Sequence, residues 1–189
     1  MAVAGECVMA EPSIPLSAND FVLFGVPVRF AQDRAELDAR WKALQREAHP
    51  DRFAAQDATA QRQAMQWSVR INEAYQRLKD PLKRAAYLCE LGGVRIHAES
   101  NTAMPARFLM QQIEWREALD DARSLADVDR LQTEVTAARD QLLADCARAL
   151  DVDEDLTTAV ALVRSLMFVE RFMEDIDKRC DQLAAHAPP

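Results

Sequence analysis

Apolar positions along the chain recur at the spacing of helices. Between Asp33 and Ala48, Leu37, Trp41, Leu44 and Ala48 follow one another at intervals of four, three and four. At about 100° per residue they form one narrow stripe. Between Asp57 and Lys79 a second line runs through Ala60, Ala64, Trp67, Ile71, Ala74 and Leu78. Two such stripes, joined by a loop of about eight residues, predict an antiparallel helical hairpin. Ahead of it, Asn19-Asp20 introduce Phe21-Val22-Leu23-Phe24, a short helix stopped by Gly25 and Pro27 that must pack on something larger. Behind it, Asp80-Pro81 breaks the pattern, and Leu82, Ala85, Tyr87, Leu88 and Leu91 continue as a shorter helix ending at Gly92-Gly93.

The rest of the chain repeats the helical theme without repeating the sequence. Residues 94–104 lack periodicity and read as a linker. Three helical runs follow, about 105–123, 126–150 and 154–184, the second opened by Ser124-Leu125-Ala126-Asp127. Val128, Leu131, Val135, Leu142 and Cys146 line the second, and Leu162, Leu166, Val169, Met173, Ile176 and Leu183 the third. Short connections predict a three-helix antiparallel bundle. The expected organisation is a disordered leader over 1–18, a first helical domain over 19–92, a linker over 93–104 and a bundle over 105–189.

Composition agrees with an all-α fold, with 49% apolar residues and only four glycines. No apolar run approaches the roughly 20 residues of a membrane span. Residues 1–15 lack the basic start and apolar stretch of a secretory signal. A cytoplasmic protein is expected, with no membrane partner. Cys7, Cys89, Cys146 and Cys180 are far apart and include no C-x-x-C pair, so they read as reduced structural thiols, with no metal or cofactor called for. Charge divides the chain. Residues 1–104 carry 13 acidic and 13 basic side chains, whereas 105–189 carry 18 and 10, which argues for two units with different partners and against nucleic acid for the second.

His49-Pro50-Asp51 lies at the tip of the hairpin. Proline fixes its own φ and disfavours a helical residue before it, so the first helix should stop at about His49. An imidazole and a carboxylate flanking that stop are either a docking point or a catalytic pair. Catalysis is poorly supported. The other histidines, His97 and His186, fall in the linker and the tail, no glycine-rich phosphate loop exists, and a hairpin tip lacks a dry concavity. Lys42 and Arg46 share another helix face, with Arg52 just beyond the turn. On their own they are also compatible with an ordinary solvated face.

The tripeptide and its surroundings resemble the J-domain of DnaJ co-chaperones. The order Leu23-Phe24-Gly25-Val26-Pro27, Leu44-Gln45-Arg46, Arg52-Phe53-Ala54, Ile71-Asn72-Glu73-Ala74-Tyr75-Gln76-Arg77-Leu78 and Pro81-Leu82-Lys83-Arg84-Ala85-Ala86-Tyr87-Leu88 is similar to that of the HscB family of iron-sulfur assembly co-chaperones. Phe108-Leu109-Met110-Gln111-Gln112-Ile113-Glu114, with Arg116-Glu117 beyond, resembles that family's client-binding helix. The resemblance covers about residues 19–185. It implies a protein without an active site of its own, whose J-domain stimulates an HscA-type ATPase chaperone and whose bundle delivers the scaffold protein IscU with a nascent cluster. On matching positions His49, Pro50 and Asp51 are the trigger, and Lys42, Arg46 and Arg52 the adjoining basic surface. J-domains commonly carry tyrosine where this chain has Ala48, so looser packing is expected at the tip. A general J-domain co-chaperone with another client is the alternative, disfavoured by the lack of a Gly/Phe-rich segment and of zinc repeats.

The client face also follows from the helix itself. Phe108, Trp115, Leu119 and Ala122 form its core stripe. Leu109, Met110 and Ile113 fall outside that stripe beside Glu114, Glu117 and Asp121, and Phe168 lies about a third of a turn off the core line of the last helix. An apolar patch rimmed by carboxylates marks a protein-binding site. The competing reading is a wider packing face that takes these apolar residues into the core.

Overall fold

The computed structural model describes residues 15–53, 57–94, 96, 104 and 106–185, and among them all regular structure is helical. The helices are α1 (Asp20–Phe24), α2 (Arg34–Ala48), α3 (Ala58–Lys79), α4 (Pro81–Leu91), α5 (Ala106–Asp121), α6 (Leu125–Asp151) and α7 (Leu156–Ala185), with a 3-10 turn at Pro50–Phe53. None of them is long and apolar enough to cross a membrane. The chain divides into two compact units. One takes the chain up to Val28 with Asp33–Lys79, the other Arg29–Gln32 with the chain from Asp80 onward.

In the first unit α1 packs on α2 and α3. Asn19 caps it by accepting from the Val22 amide at 2.9 Å, and Gly25 ends it at φ 63°, a left-handed conformation natural to glycine. Phe21 and Phe24 are buried. So is Asp20, whose two carboxylate oxygens meet Arg70 at 2.5 Å and Arg77 at 2.7 Å of α3. Two guanidinium groups compensate the desolvated carboxylate. Arg70 also donates to the carbonyls of Leu16 and Ala18, which fastens the last residues of the expected leader; residues 1–14 of that segment lie outside the described residues.

The hairpin is held differently from the two facing apolar stripes that periodicity predicts. On α2, Leu37 is the only buried residue of its stripe, and Trp41, Leu44 and Ala48 are half-buried. Side-chain hydrogen bonds occupy the seam. Trp41 Nε1 donates to Asn72 Oδ1 at 2.9 Å, and Gln45 Nε2 donates to the same oxygen at 2.7 Å and to the Ser68 carbonyl at 3.1 Å. Ser68 returns a bond to Gln45 Oε1, and the Tyr75 hydroxyl donates to Asp38 at 2.7 Å while its ring stacks on Trp41 at 4.9 Å. Directional bonds of this kind set register more tightly than apolar contact alone.

The second unit is built on a long α6–α7 hairpin. At 1.5 Å per residue these helices run about 40 and 45 Å, whereas α4 and α5 run about 16 and 24 Å. Neither short helix covers the hairpin alone, and each takes one end. Near the α6–α7 turn, Ala85 and Cys89 of α4 join Phe30, Cys146, Ala149, Ala159, Val160, Val163 and Leu166 in one core. Toward the other end, Phe108 and Trp115 of α5 join Val128, Leu131, Val135, Val169, Phe172 and Ile176 in a second. α5, α6 and α7 form the expected three-helix bundle, and α4, expected with the first helical domain, packs on α6 and α7 as a fourth helix of this unit. The boundary falls at Lys79/Asp80, because α4 buries its apolar side on α6 and α7. Of the expected linker, Ile96 and Met104 pack on these two cores, and most of the rest lies outside the described residues.

Cys89 and Cys146 are free, buried thiols within the α4-side core. Burial pushes them up to about 11 and about 12, so both stay protonated.

Candidate functional site

The tip of the hairpin is a rigid knuckle. His49 is extended, φ −62° and ψ 126°, as the residue before a proline should be, and α2 ends there. The 3-10 turn that follows is anchored by buried Phe53 and packs against α3. The Asp51 amide donates to His49 Nδ1 at 3.3 Å, and the Arg52 amide donates to the His49 carbonyl at 3.0 Å. Accepting at Nδ1 leaves the imidazole proton on Nε2, directed away from the turn. The Asp51 carboxylate lies 3.6 Å from Nδ1, and the two side chains are 89% and 55% exposed. The turn therefore offers an N–H donor and a carboxylate side by side in water.

The basic residues differ from one another. Lys42 and Arg46 are exposed on α2, with Arg46 Nε donating to the Lys42 carbonyl at 3.3 Å. Arg52 folds back so that Nη1 donates to the Arg46 carbonyl at 3.2 Å. It thus satisfies an orphan carbonyl in the last turn of α2 and stands at the negative end of the helix dipole. In the sequence alone Arg52 reads only as surface charge. Ala48 is half-buried beside this tip.

On α5 the candidate residues separate into two groups. Met110 and Ile113 are 60% and 52% exposed, and Glu114, Glu117 and Asp121 are exposed beside them. Leu109 is half-buried. Phe168 is different: it meets Phe108 edge-on at 5.9 Å, stacks on Phe172 at 5.8 Å and belongs to the packing around the α5-side core. The Arg116 guanidinium lies over its ring at 5.5 Å. An all-carboxylate rim is therefore corrected. The patch grades from a cation over an aromatic ring, through Leu109, Ile113 and Met110, to carboxylates.

Two residues here escaped the apolar pattern. Gln112 is buried on the core stripe and its amide contacts Met104 Sδ at 3.2 Å. It completes the four-three-four-three spacing through Phe108, Trp115, Leu119 and Ala122, a signal available once a polar residue is admitted to the stripe. Arg116 had no local signal, because the ring it covers is 52 residues away in sequence. Trp115 fills the centre, stacked on Phe172 at 6.0 Å and donating from Nε1 to Glu134 at 2.8 Å.

Comparison with known proteins reaches both units. Residues 104–177 match the family described as the HSCB C-terminal oligomerisation domain. The chain is 48% identical over 173 residues to a co-chaperone protein HscB homolog of Burkholderia mallei, covering 90% of this chain and 98% of that protein. It is 47% identical over 163 residues to the homolog of Bordetella petrii, covering 85% and 96%. Among solved structures it resembles the chaperone HscB of Vibrio cholerae with TM-score 0.76 and 34% identity, over 88% of this chain and 99% of that one. Human co-chaperone protein HscB superposes with TM-score 0.83 and 26% identity, over 88% and 84%.

Proposed function

The chain belongs to the HscB family of J-domain co-chaperones, and from that premise we propose that it couples two proteins in iron-sulfur cluster assembly in the cytoplasm. The first unit docks on an HscA-type ATPase chaperone and stimulates its ATP hydrolysis. The second delivers the IscU scaffold carrying a nascent cluster. The observation that carries this reading is the His49–Asp51 pair, held by backbone bonds and open to solvent. A partner that accepts from Nε2–H and donates to the carboxylate gains two charge-assisted or polar bonds without reordering the turn. Lys42 and Arg46 steer an acidic surface toward it.

The scaffold-binding role rests on Leu109, Met110, Ile113, Glu114, Glu117, Asp121 and the exposed edge of Phe168. Two exposed aliphatic side chains supply the apolar centre and the carboxylates select a basic client surface. The chaperone performs the chemistry, and this chain acts as an adaptor.

The test is the chaperone's ATPase rate with this chain and the scaffold added singly and together. Synergy is expected, and Asp51→Ala should abolish it while scaffold binding in titration calorimetry stays unchanged. Undiminished stimulation by Asp51→Ala would overturn the trigger assignment.

A further inference from the structure

The outer face of the α2–α3 hairpin carries more than the basic residues. Met65 and Val69 of α3 are 58% and 51% exposed. They stand one helical turn apart and so form a contiguous apolar pair. Isolated exposed apolar residues are ordinary, but position sets these two apart.

The seam bonds locate them. Trp41 and Gln45 of α2 meet Asn72 and Ser68 of α3, which identifies the side each helix turns to the other. Lys42 and Arg46 each follow a seam residue by one position, about 100° further round from buried Leu37. On α3, Val69 follows Ser68 by one and Met65 precedes it by three, about 100° and 60° further round from buried Ile71. The helices are antiparallel, so both displacements carry the residues to the same outer side, opposite α1. The register of the seam bonds brings Val69 level with Arg46 and places Met65 a turn closer to the tip. Exposed Arg62 lies one turn nearer the tip, while Glu73 lies a turn further from it. This side of the hairpin carries Lys42, Arg46 and Arg62, with Asp51 at the turn and exposed Glu47 and Asp57 flanking it.

We propose that Met65 and Val69 are the apolar anchor of the surface that receives the ATPase chaperone, seated in an apolar depression on that partner rimmed by its carboxylates. The inference rests on the preceding assignment of the tip to the chaperone and adds α3 to it. The face is continuous with the tip, its charge suits an acidic partner, and the seam holds both halves in one register. Methionine's unbranched, polarizable chain adapts to such a depression. The cations set the approach and the apolar pair sets the lifetime of the complex.

The test uses the full chain with Met65→Ser and Val69→Ser combined, and Met65→Leu with Val69→Ile as the conservative control. Both positions are exposed, so helicity and melting should match the native chain. The serine variant should need about fivefold or more protein for half-maximal ATPase stimulation, mainly through faster dissociation, and should still reach the native maximum. Its salt dependence should be unchanged, whereas Lys42→Ala with Arg46→Ala should slow association and flatten that dependence. The control should behave as native. A native chain that stimulates and a serine variant with the same half-maximal concentration would overturn the anchor and leave the trigger standing. No stimulation by the native chain would remove both. Concentration-dependent self-association in sedimentation, lost in the serine variant, would give the face to a second copy of this chain and overturn the proposal.

Discussion

Phe168 is held to two tasks where Met110 has one. Its ring lies between Phe108 and Phe172 under the Arg116 guanidinium, while Met110 is mostly in water. Phe168→Ser should therefore lower unfolding free energy in urea by about 2 kcal/mol, less than a fully buried phenylalanine because the ring is half-exposed. Met110→Ser and Ile113→Ser should each change stability by no more than about 0.5 kcal/mol. All three should weaken scaffold binding. Equal stability of the Phe168 and Met110 variants would show that the aromatic cluster is not load-sharing. A triple serine replacement at Leu109, Met110 and Phe168 would mix a folding defect with a binding defect, so Met110 and Ile113 are the cleaner probes. This distinction was illegible in the sequence. A position a third of a turn from the core line is exposed or packed according to what lies across from it, and here Phe108 and Arg116 do.

At the scale of elements the sequence was most readable, because caps and breakers act locally. The Ser124 side chain accepts from the Asp127 amide while Asp127 accepts from the Ser124 amide, a capping box that starts α6. Ser124→Ala should cost about 1 kcal/mol. The Ser124 hydroxyl first, then the Arg123 amide, holds the Asp127 carboxyl below its ordinary 3.8. The sign follows from linkage: the folded state binds this proton more weakly than the unfolded chain, so the contribution is present above about pH 4 and is lost as pH falls through the folded value. Asp155, through Thr158, and Asp38, through Tyr75 and then Arg34, act in the same direction. Urea unfolding from about pH 6 to about pH 3 should show stability falling below pH 4. In the Ser124→Ala protein the fall should be shallower. An identical pH slope in the two proteins would mean the box is open in solution. What periodicity missed at this scale was the polar seam of the hairpin, since Gln45, Ser68 and Asn72 read as surface residues until their partners are known.

For the molecule as a whole, the division into units turned on α4 and on four residues far from it in sequence. Arg29–Gln32 belong with the second unit, where the Asp151 carboxylate accepts from the amides of Phe30 at 2.6 Å and Ala31 at 2.8 Å. Phe30 sits in the α4-side core with the Arg84 guanidinium 4.9 Å from its ring. Asp151→Ala should cost about 2 kcal/mol for two charge-assisted bonds. Hydrogen exchange at Phe30 and Ala31 should accelerate. Unchanged protection of these amides would show that Phe30 burial alone secures the segment.

The sequence by itself determined the helices, their ends and the stop of α2 at His49-Pro50, because periodicity, caps and proline operate within one or two turns of chain. It also singled out Leu109, Met110 and Ile113 on α5 beside carboxylates, of which Met110 and Ile113 are exposed and Leu109 is half-buried. Only tertiary structure decided that α4 serves the second unit, that Arg52 caps α2, that Phe168 is shared between core and surface, and that Met65 and Val69 share a face with Lys42 and Arg46. Each of these depends on which side of a helix meets which side of another. That choice is made by packing between residues distant in sequence.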